Sequence, residues 1–422
     1  EVYQEVPNPV AATRNLCSFL RAHHSVSALY ELMHSHPPVI KLLLRPLGFG
    51  PFPSRLMVAH PELLDEMLES NALSSQRSPW DIYNQRLRPR FTSKTDHEDD
   101  LLADLRKFKE SEGLFIAVRE ILGILTADEA GALITELAEC CVDGVSRVAA
   151  TKDPAEEGWC VVALGSFGDR QVHLVSDIDV GFFFDPERVG EANAKELEGV
   201  AQRILSELSA ISPHGQLWKT DARLRPDGRT APLMVSLDRA RRYYRKEADI
   251  WEFQSATRSR PVAGNSEVAR KALGIISEAL CERSPFENLG AEIKSMRARL
   301  EETVRLPKSA ERDLKRGTGG IVDIEFLVQY FQLREAANDP EVLAPETHIA
   351  IEVLHEKGFF SDQDVEFLRT HRHGLRTVQR TQRLLFETAK DYLPAKQEKR
   401  DELRRALADQ SLLLDQLDAN MK

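Results

Sequence analysis

Two aspartates one residue apart, Asp177 and Asp179, stand at the head of an apolar run that continues through Val180-Gly-Phe-Phe-Phe184. On a strand, alternate residues point to the same side, so the two carboxylates would lie together while Ile178 faces a core. Neighbouring carboxylates repel unless a cation lies between them, and hard oxygen ligands suit Mg²⁺ carrying a phosphate. Taken alone, the pair also fits a turn with solvated carboxylates. Its surroundings favour the metal reading. Gly165 and Ser166, which end eleven residues before Asp177, can offer backbone N–H groups and a hydroxyl to phosphate. A third carboxylate, Asp221, is followed at period two by Arg223 and Arg225, so one strand face could complete the metal site and hold polyphosphate.

The elements that must position these groups are legible in the hydrophobic period. Trp159 to Gly165 and Asp179 to Asp185 have the length and β-former content of strands, and Leu217 to Leu224 and Ala256 to Val262 read as two more. Helical spacing precedes them, through Leu101, Leu105, Phe108, Phe115, Val118 and Leu122 and then over Ala127 to Ala149. It returns over Glu191 to Ile211 and dominates from about Glu267, with long patterns at Ile321 to Leu333 and Asp362 to Glu387. Asn15 to about Ser70 is also helical, punctuated by prolines, and the polar stretch from Asn71 to Asp100 reads as a linker. The expectation is an α+β, predominantly helical protein: residues 1–98 a helical region with its linker, 99–266 the mixed domain with the candidate site, and 267–422 a helical bundle.

Composition narrows the function. The chain has 422 residues, 42% apolar and 29% charged, too many for one ordinary core. No run approaches the roughly 18 apolar residues of a membrane helix, and no signal peptide is visible, so cytoplasm is expected. A formal charge of -11 disfavours a nucleic-acid partner. The five cysteines (Cys17, Cys140, Cys141, Cys160, Cys281) have no paired spacing and are expected to be reduced and buried. Bland readings fit several other residues. Asp362 and Asp364 suit the first turn of a helix opened by Ser361, Trp251 suits a core, and His371, His373, Arg372, Arg376 and Arg380 suit a solvated helix face. Arg258 and Arg260 share a strand face, either as substrate contacts or as a solvated edge. Asp323 and Glu325 suit a helix N-terminus opened by Gly319 and Gly320, which could alternatively lean over the active site.

Five ordered segments together carry a resemblance. They are Ala163-Leu-Gly-Ser-Phe-Gly-Asp-Arg170, Ser176-Asp-Ile-Asp-Val180, Asp221-Ala-Arg-Leu-Arg-Pro-Asp-Gly228, Trp251-Glu252 with Arg258 to Gly264, and Gly319-Gly-Ile-Val-Asp-Ile-Glu-Phe326. With the helix around Arg106 to Glu110, the chain over roughly residues 55 to 390 resembles glutamine synthetase adenylyltransferases, within the polymerase-β-like nucleotidyltransferase superfamily. The resemblance implies a polymerase-β-like core flanked by helical domains. It implies Asp177, Asp179 and Asp221 as catalytic ligands of Mg²⁺ or Mn²⁺, and Gly165, Ser166, Arg223 and Arg225 as nucleotide-binding residues. ATP is then the substrate and glutamine synthetase the acceptor, with a PII-type signal protein as a further partner and regulation of nitrogen assimilation as the role. That family has two catalytic halves, one attaching AMP to a tyrosine and the other removing it by phosphorolysis. This chain has room for one, and Trp251 to Arg258 looks more like the attaching, C-terminal half. Removal of AMP, or a catalytically weak docking module, is the alternative. The sequence departs from the family at Ser166, where lysine is common, and at Asp169, where a second glycine is common. An extra carboxylate beside a triphosphate is unfavourable unless it faces solvent or metal.

Overall fold

The computed structural model describes residues 6–68, 73, 77–93, 96–190, 194–284, 286–304, 313–410, 413, 414, 416 and 417. It is an α+β fold, mostly helical, built on one small mixed sheet. The strands are β1 (Trp159–Leu164), β2 (Ile178–Phe184), β3 (Thr220–Asp221), β4 (Met234–Ser236) and β5 (Arg260–Gly264). β2 is the pivot: β1 lies antiparallel on one side of it, and β3 and β4 lie parallel to it, one after the other, on the opposite side. β5 closes the other edge antiparallel to β1.

Alternation on β2 divides the core. Ile178, Val180 and Phe182 belong to a large hydrophobic cluster with two long helices, α1 (Glu98–Ile121) and α2 (Ala127–Ala149). Phe183, with Cys160, Val162 and Leu164 of β1, packs on the other side against the helices Leu237–Lys246, Ile250–Ala256 and Ser266–Arg283. A fully buried side chain of this size contributes roughly 1.5–3 kcal/mol, and truncating Phe182 to alanine would cost about 3–5 kcal/mol. α2 starts at a capping box in which the Thr126 side chain accepts the Glu129 N–H and Glu129 accepts the Thr126 N–H. The C-terminal region contributes two more long helices, α3 (Ile321–Glu335) and α4 (Asp362–Phe386).

The strand ends differ from expectation at two places. The Leu217–Leu224 pattern yields only β3, because beyond Asp221 the chain turns, with Asp227 left-handed and the Gly228 N–H bonded to the Arg225 carbonyl. The Ala256–Val262 pattern is the end of the helix Ile250–Ala256, a three-residue connection, and then β5, so Arg258 is not on a strand. The stretch read as a linker carries two short helices, Pro79–Arg86 and Arg88–Ser93, whose Tyr83 and Phe91 join the large core. Pro79 acts there as a helix starter, with Ser78 capping. Of the five cysteines, Cys140, Cys141 and Cys160 are buried as expected, Cys281 is partly buried and Cys17 is exposed; none is in a disulfide.

Candidate active site

Strand register brings the three aspartates together. Asp179 faces Leu164 across β1 and Asp221 across β3, so both its neighbours lie level with it on the sheet. Residues paired across a ladder point to the same side, which puts Asp221 beside Asp179, with Asp177 two residues earlier in the same alternation. Ile178, between them, is fully buried on the opposite side. Asp177 is exposed; Asp179 and Asp221 are half-buried. Burial first, then the charge of Asp221, pushes the Asp179 carboxyl up to about 6, with Asp177 adding to the rise and Lys315 opposing it. Asp221 accepts the Arg223 N–H at 2.9 Å, and the exposed Arg223 guanidinium is ion-paired to its carboxylate.

Directly after β1 the chain makes a single helical turn, Gly165–Gly168. Gly165 has φ +55°, and a Cβ there would collide with the Asp179 carboxylate. Glycine is therefore required both by conformation and by the approach of Asp179. A Cβ on Gly168 would collide with the Arg258 carbonyl. The turn is held from below by Arg260, which donates to the Phe167 carbonyl at 3.1 Å and pairs with Glu139 at 2.5 Å. Arg260 is thus neither a solvated edge residue nor aimed at solvent. Ser166 is half-exposed at the start of the turn.

Arg225 does not share a strand face with Asp221 and Arg223. It is buried, and its guanidinium donates to the carbonyls of Pro232 at 3.0 Å and Ala231 at 2.8 Å and to that of Ala222. It ties the loop after β3 into one conformation.

Asp169 faces neither solvent nor metal. It is fully buried, accepts the Thr347 N–H at 2.6 Å, and meets Arg376 of α4 at 3.4 Å. Arg376 also reaches Glu325 at 3.2 Å, and Glu325 pairs with Arg258 at 3.2 Å. Burial alone would raise the Asp169 carboxyl, but Arg258, Arg372 and Arg376 together hold it below the usual carboxylate range. The α4 face read as solvated is therefore the inner face: Arg372 pairs with Asp128 at 2.7 Å, Arg380 with Glu120 at 2.7 Å, and His371 bonds the Gly319 carbonyl at 2.7 Å. Glu325 therefore does not serve the helix N-terminus as expected but pairs with Arg258 and Arg376, whereas Asp323 does sit at that end, pairing with Arg297 and accepting the Gly319 N–H.

Sequence reasoning overlooked Lys315, whose charge reaches Asp179 from the loop before α3. That loop is fixed by Asp313, which accepts the N–H groups of Lys315 at 2.8 Å and Arg316 at 2.7 Å. Only its clustering with Gly317, Gly319 and Gly320 hinted at a built loop. Trp251, expected in a core, is 44% exposed. Among the described residues no group of three His, Cys, Asp or Glu side chains forms a ready cation cage, and no helix is long and apolar enough to cross a membrane.

The model of the glutamate-ammonia ligase adenylyltransferase family matches residues 40–275, and a second model, described as GlnD PII-uridylyltransferase, matches residues 288–415. Similar curated proteins include the bifunctional glutamine synthetase adenylyltransferase/adenylyl-removing enzyme of Burkholderia mallei, 29% identical over 85% of this chain and 39% of that protein. Proteins of the same description from Aromatoleum aromaticum (28% identical; 83% of this chain, 37% of the relative) and Methylococcus capsulatus (28%; 80% and 38%) are also similar. The chain spans about two-fifths of the length of these relatives.

Proposed function

The chain belongs to the glutamate-ammonia ligase adenylyltransferase family, and from that membership we propose that it transfers AMP from ATP to a tyrosine hydroxyl of glutamine synthetase. The observation that carries the reading is the register of Asp179, level with Leu164 before the glycine turn and with Asp221 on β3.

Asp177, Asp179 and Asp221 would hold Mg²⁺ or Mn²⁺. The raised Asp179 carboxyl fits this, since its burial and the neighbouring Asp221 charge both disfavour its ionised form without a counter-cation, and Arg223 already supplies a positive charge at Asp221. Such ions supply charge neutralisation at the attacking and leaving oxygens. The chain's own groups do the remainder. Gly165 and Ser166 open a helical turn whose first N–H groups lack intrahelical acceptors and can receive phosphate oxygens. Arg223, exposed beside Asp221, can turn from that carboxylate to a phosphate. Asp221 is the base that takes the tyrosine proton. The tyrosine oxygen then forms its bond to the α-phosphorus as the bond to pyrophosphate breaks, in line. Arg225 serves by holding the loop that carries Asp221 and Arg223. The likeness of residues 288–415 to a PII-uridylyltransferase model supports a PII-type signal protein as a second partner.

The test is transfer of label from ATP labelled in its α-phosphate to purified glutamine synthetase with Mg²⁺, comparing the chain with its Asp177→Asn, Asp179→Asn double variant. Labelling that disappears in the variant supports the proposal. If neither labels the target, phosphate-dependent release of AMP from modified glutamine synthetase becomes the assay. Failure of both leaves a docking module.

A further inference from the structure

Four residues, Leu174 to Asp177, link the chain behind the glycine turn to β2, and Asp177 is the last of them. On the near side that chain is pinned. The Gln171 N–H bonds the Ser166 carbonyl at 2.9 Å, the Val172 N–H bonds the Thr135 hydroxyl of α2 at 3.1 Å, and Arg380 of α4 donates to the Val172 carbonyl at 3.1 Å. On the far side the Ile178 N–H bonds the Lys219 carbonyl at 2.9 Å. Between the two, Leu174 packs into the large core, and among the described residues the hydrogen bonds that hold the link run to His173. The Ser176 N–H and hydroxyl both donate to the His173 carbonyl, at 3.0 and 2.9 Å, and the Ser176 hydroxyl accepts the His173 N–H at 3.0 Å. The His173 ring itself accepts the Val175 N–H at Nδ1, at 3.3 Å. The ring proton therefore sits on Nε2. The side chain is buried, its Nε2 has no hydrogen-bond partner, and burial followed by the charges of Arg380 and Arg383 holds the imidazole neutral, well below the ordinary histidine value. A buried donor left unpaired is unfavourable, so the polar contribution of this ring lies at Nδ1.

The Asp177 carboxylate is exposed and, among the described residues, has no hydrogen bond or ion pair of its own, whereas Arg223 holds Asp221 and the sheet register holds Asp179. Its direction is set by the backbone turn before it. Resting on the reading of Asp177 as a metal ligand, we propose that His173 is a positioning residue, which through Nδ1 closes the turn at Val175 and Ser176 and so presents Asp177 beside Asp179 before a cation arrives. Without that bond the link must be ordered during binding, and fixing the backbone of a single residue weakens an equilibrium roughly 5- to 30-fold. Side-chain chemistry makes the claim specific. The Oδ1 of asparagine sits on Cγ, as Nδ1 does, and can accept the Val175 N–H, whereas the Oε1 of glutamine lies one bond further out, nearer the place of Nε2. A ring that only fills space is better replaced by glutamine, the closer in size. A ring that must accept at Nδ1 is better replaced by asparagine.

The experiment titrates the parent chain, His173→Asn, His173→Gln and His173→Ala with Mn²⁺, following the free ion by electron spin resonance, each with and without Asp177→Asn. Hydrogen exchange over residues 174–177, read by mass spectrometry, and a thermal melt accompany each protein. Expected are parental Mn²⁺ affinity and slow exchange in His173→Asn, against roughly 5- to 30-fold weaker Mn²⁺ binding and fast exchange in His173→Gln and His173→Ala. In the Asp177→Asn background the His173 variants should all bind Mn²⁺ alike. Parental affinity in His173→Gln overturns the proposal, as does binding by His173→Asn that is no tighter than by His173→Gln; these two arms decide it even where His173→Ala fails to melt cooperatively. A loss that persists in the Asp177→Asn background overturns it in favour of a general structural role. A parent that binds no Mn²⁺ brings down the metal reading of the three aspartates along with the proposal, whereas a parent that binds isolates failure to His173.

Discussion

Replacing Asp169 by asparagine tests whether the buried charge cluster holds the glycine turn. Asp169, Glu325, Arg258 and Arg376 are all buried and form a balanced set of two acids and two bases. Asparagine keeps the size of aspartate and can still accept the Thr347 N–H, but it leaves one guanidinium charge uncompensated. Removing one partner of a buried pair typically costs about 3–5 kcal/mol. With the Thr347 bond retained, the lower end, about 3 kcal/mol, is expected. For domains of 150–250 residues that corresponds to a fall in Tm of about 6–12 °C at neutral pH.

The sign of the pH dependence follows from the depressed carboxyl of Asp169. Its stabilisation is fully present above the unfolded-state pKa near ~4 and is lost as pH falls through the lower folded value. The Tm difference between parent and Asp169→Asn should therefore be constant from about pH 5 to 8 and shrink below about pH 4. In the Asp169→Asn background, Arg376→Gln removes the excess charge, so the double variant should lie well above the sum of the singles, with a coupling on the order of 1–3 kcal/mol. Thermal melts of the four proteins decide the matter. A single-variant fall of less than about 2 °C, or additivity in the cycle, would refute the claim that these charges form one unit.

Asp179→Asn should abolish transfer yet stabilise the metal-free chain: its carboxyl sits near 6 in the folded state against about 4 unfolded, so folding stability declines as pH rises from about 4 to 6, by about 3 kcal/mol at most. Urea unfolding at pH 4 and 7.5 checks this, since the variant should lose the dependence. Gly165→Ala forces a left-handed alanine into the Asp179 carboxylate and should lower transfer at least about tenfold, at about 1–2 kcal/mol of strain. Arg223→Ala removes an exposed ion pair and should leave Tm within about 2 °C while raising the KM for ATP. Lys315→Met should raise the Asp179 titration midpoint further, read by NMR of the carboxyl carbon, because Lys315 opposes the rise.

How much of this was readable depended on range in sequence. β1 and β2 were legible to within a residue from local content, and the Asp-x-Asp geometry follows from alternation alone. Asp221 came from a resemblance and a period that overran its strand, because the side chain of Arg223 folds back on Asp221 where the chain turns. The inward face of α4 was misread for a physical reason. Arg372, Arg376 and Arg380 recur every four residues, which marks a charged face, but the acids that neutralise them are all distant in sequence: Asp128, Asp169 and Glu120 lie 244, 207 and 260 positions away, and Glu325 lies 51 from Arg376. Charge at helical spacing reveals a face without revealing whether it meets water or carboxylates. Trp251 failed the same way: an aromatic residue near a core period gives no sign that its ring lies on the outer side.

The partners of Asp169 also bear on where the catalytic unit ends. A boundary near residue 266 follows the end of the sheet, but the turn that would receive phosphate is fastened by groups beyond it: the Thr347 N–H, Arg376, and through Arg258 the carboxylate of Glu325. The helix Ser266–Arg283 moreover covers Cys160, Val162 and Leu164, the sheet face that carries Asp179. A chain cut after Asn265 would expose that apolar face and strip from Asp169 and Arg258 the Thr347 N–H, Arg376 and Glu325 that cover and partner them. We therefore expect a fragment ending at residue 265 to aggregate, and one reaching residue 395, beyond the Asp391 carboxylate that pairs with Arg383 at 2.7 Å, to melt cooperatively. If the shorter fragment folds and binds ATP with parental affinity, the C-terminal helices are an independent module and the cluster around Asp169 merely docks it. If only the longer one does, any partner that shifts α3 or α4 acts directly on the phosphate turn.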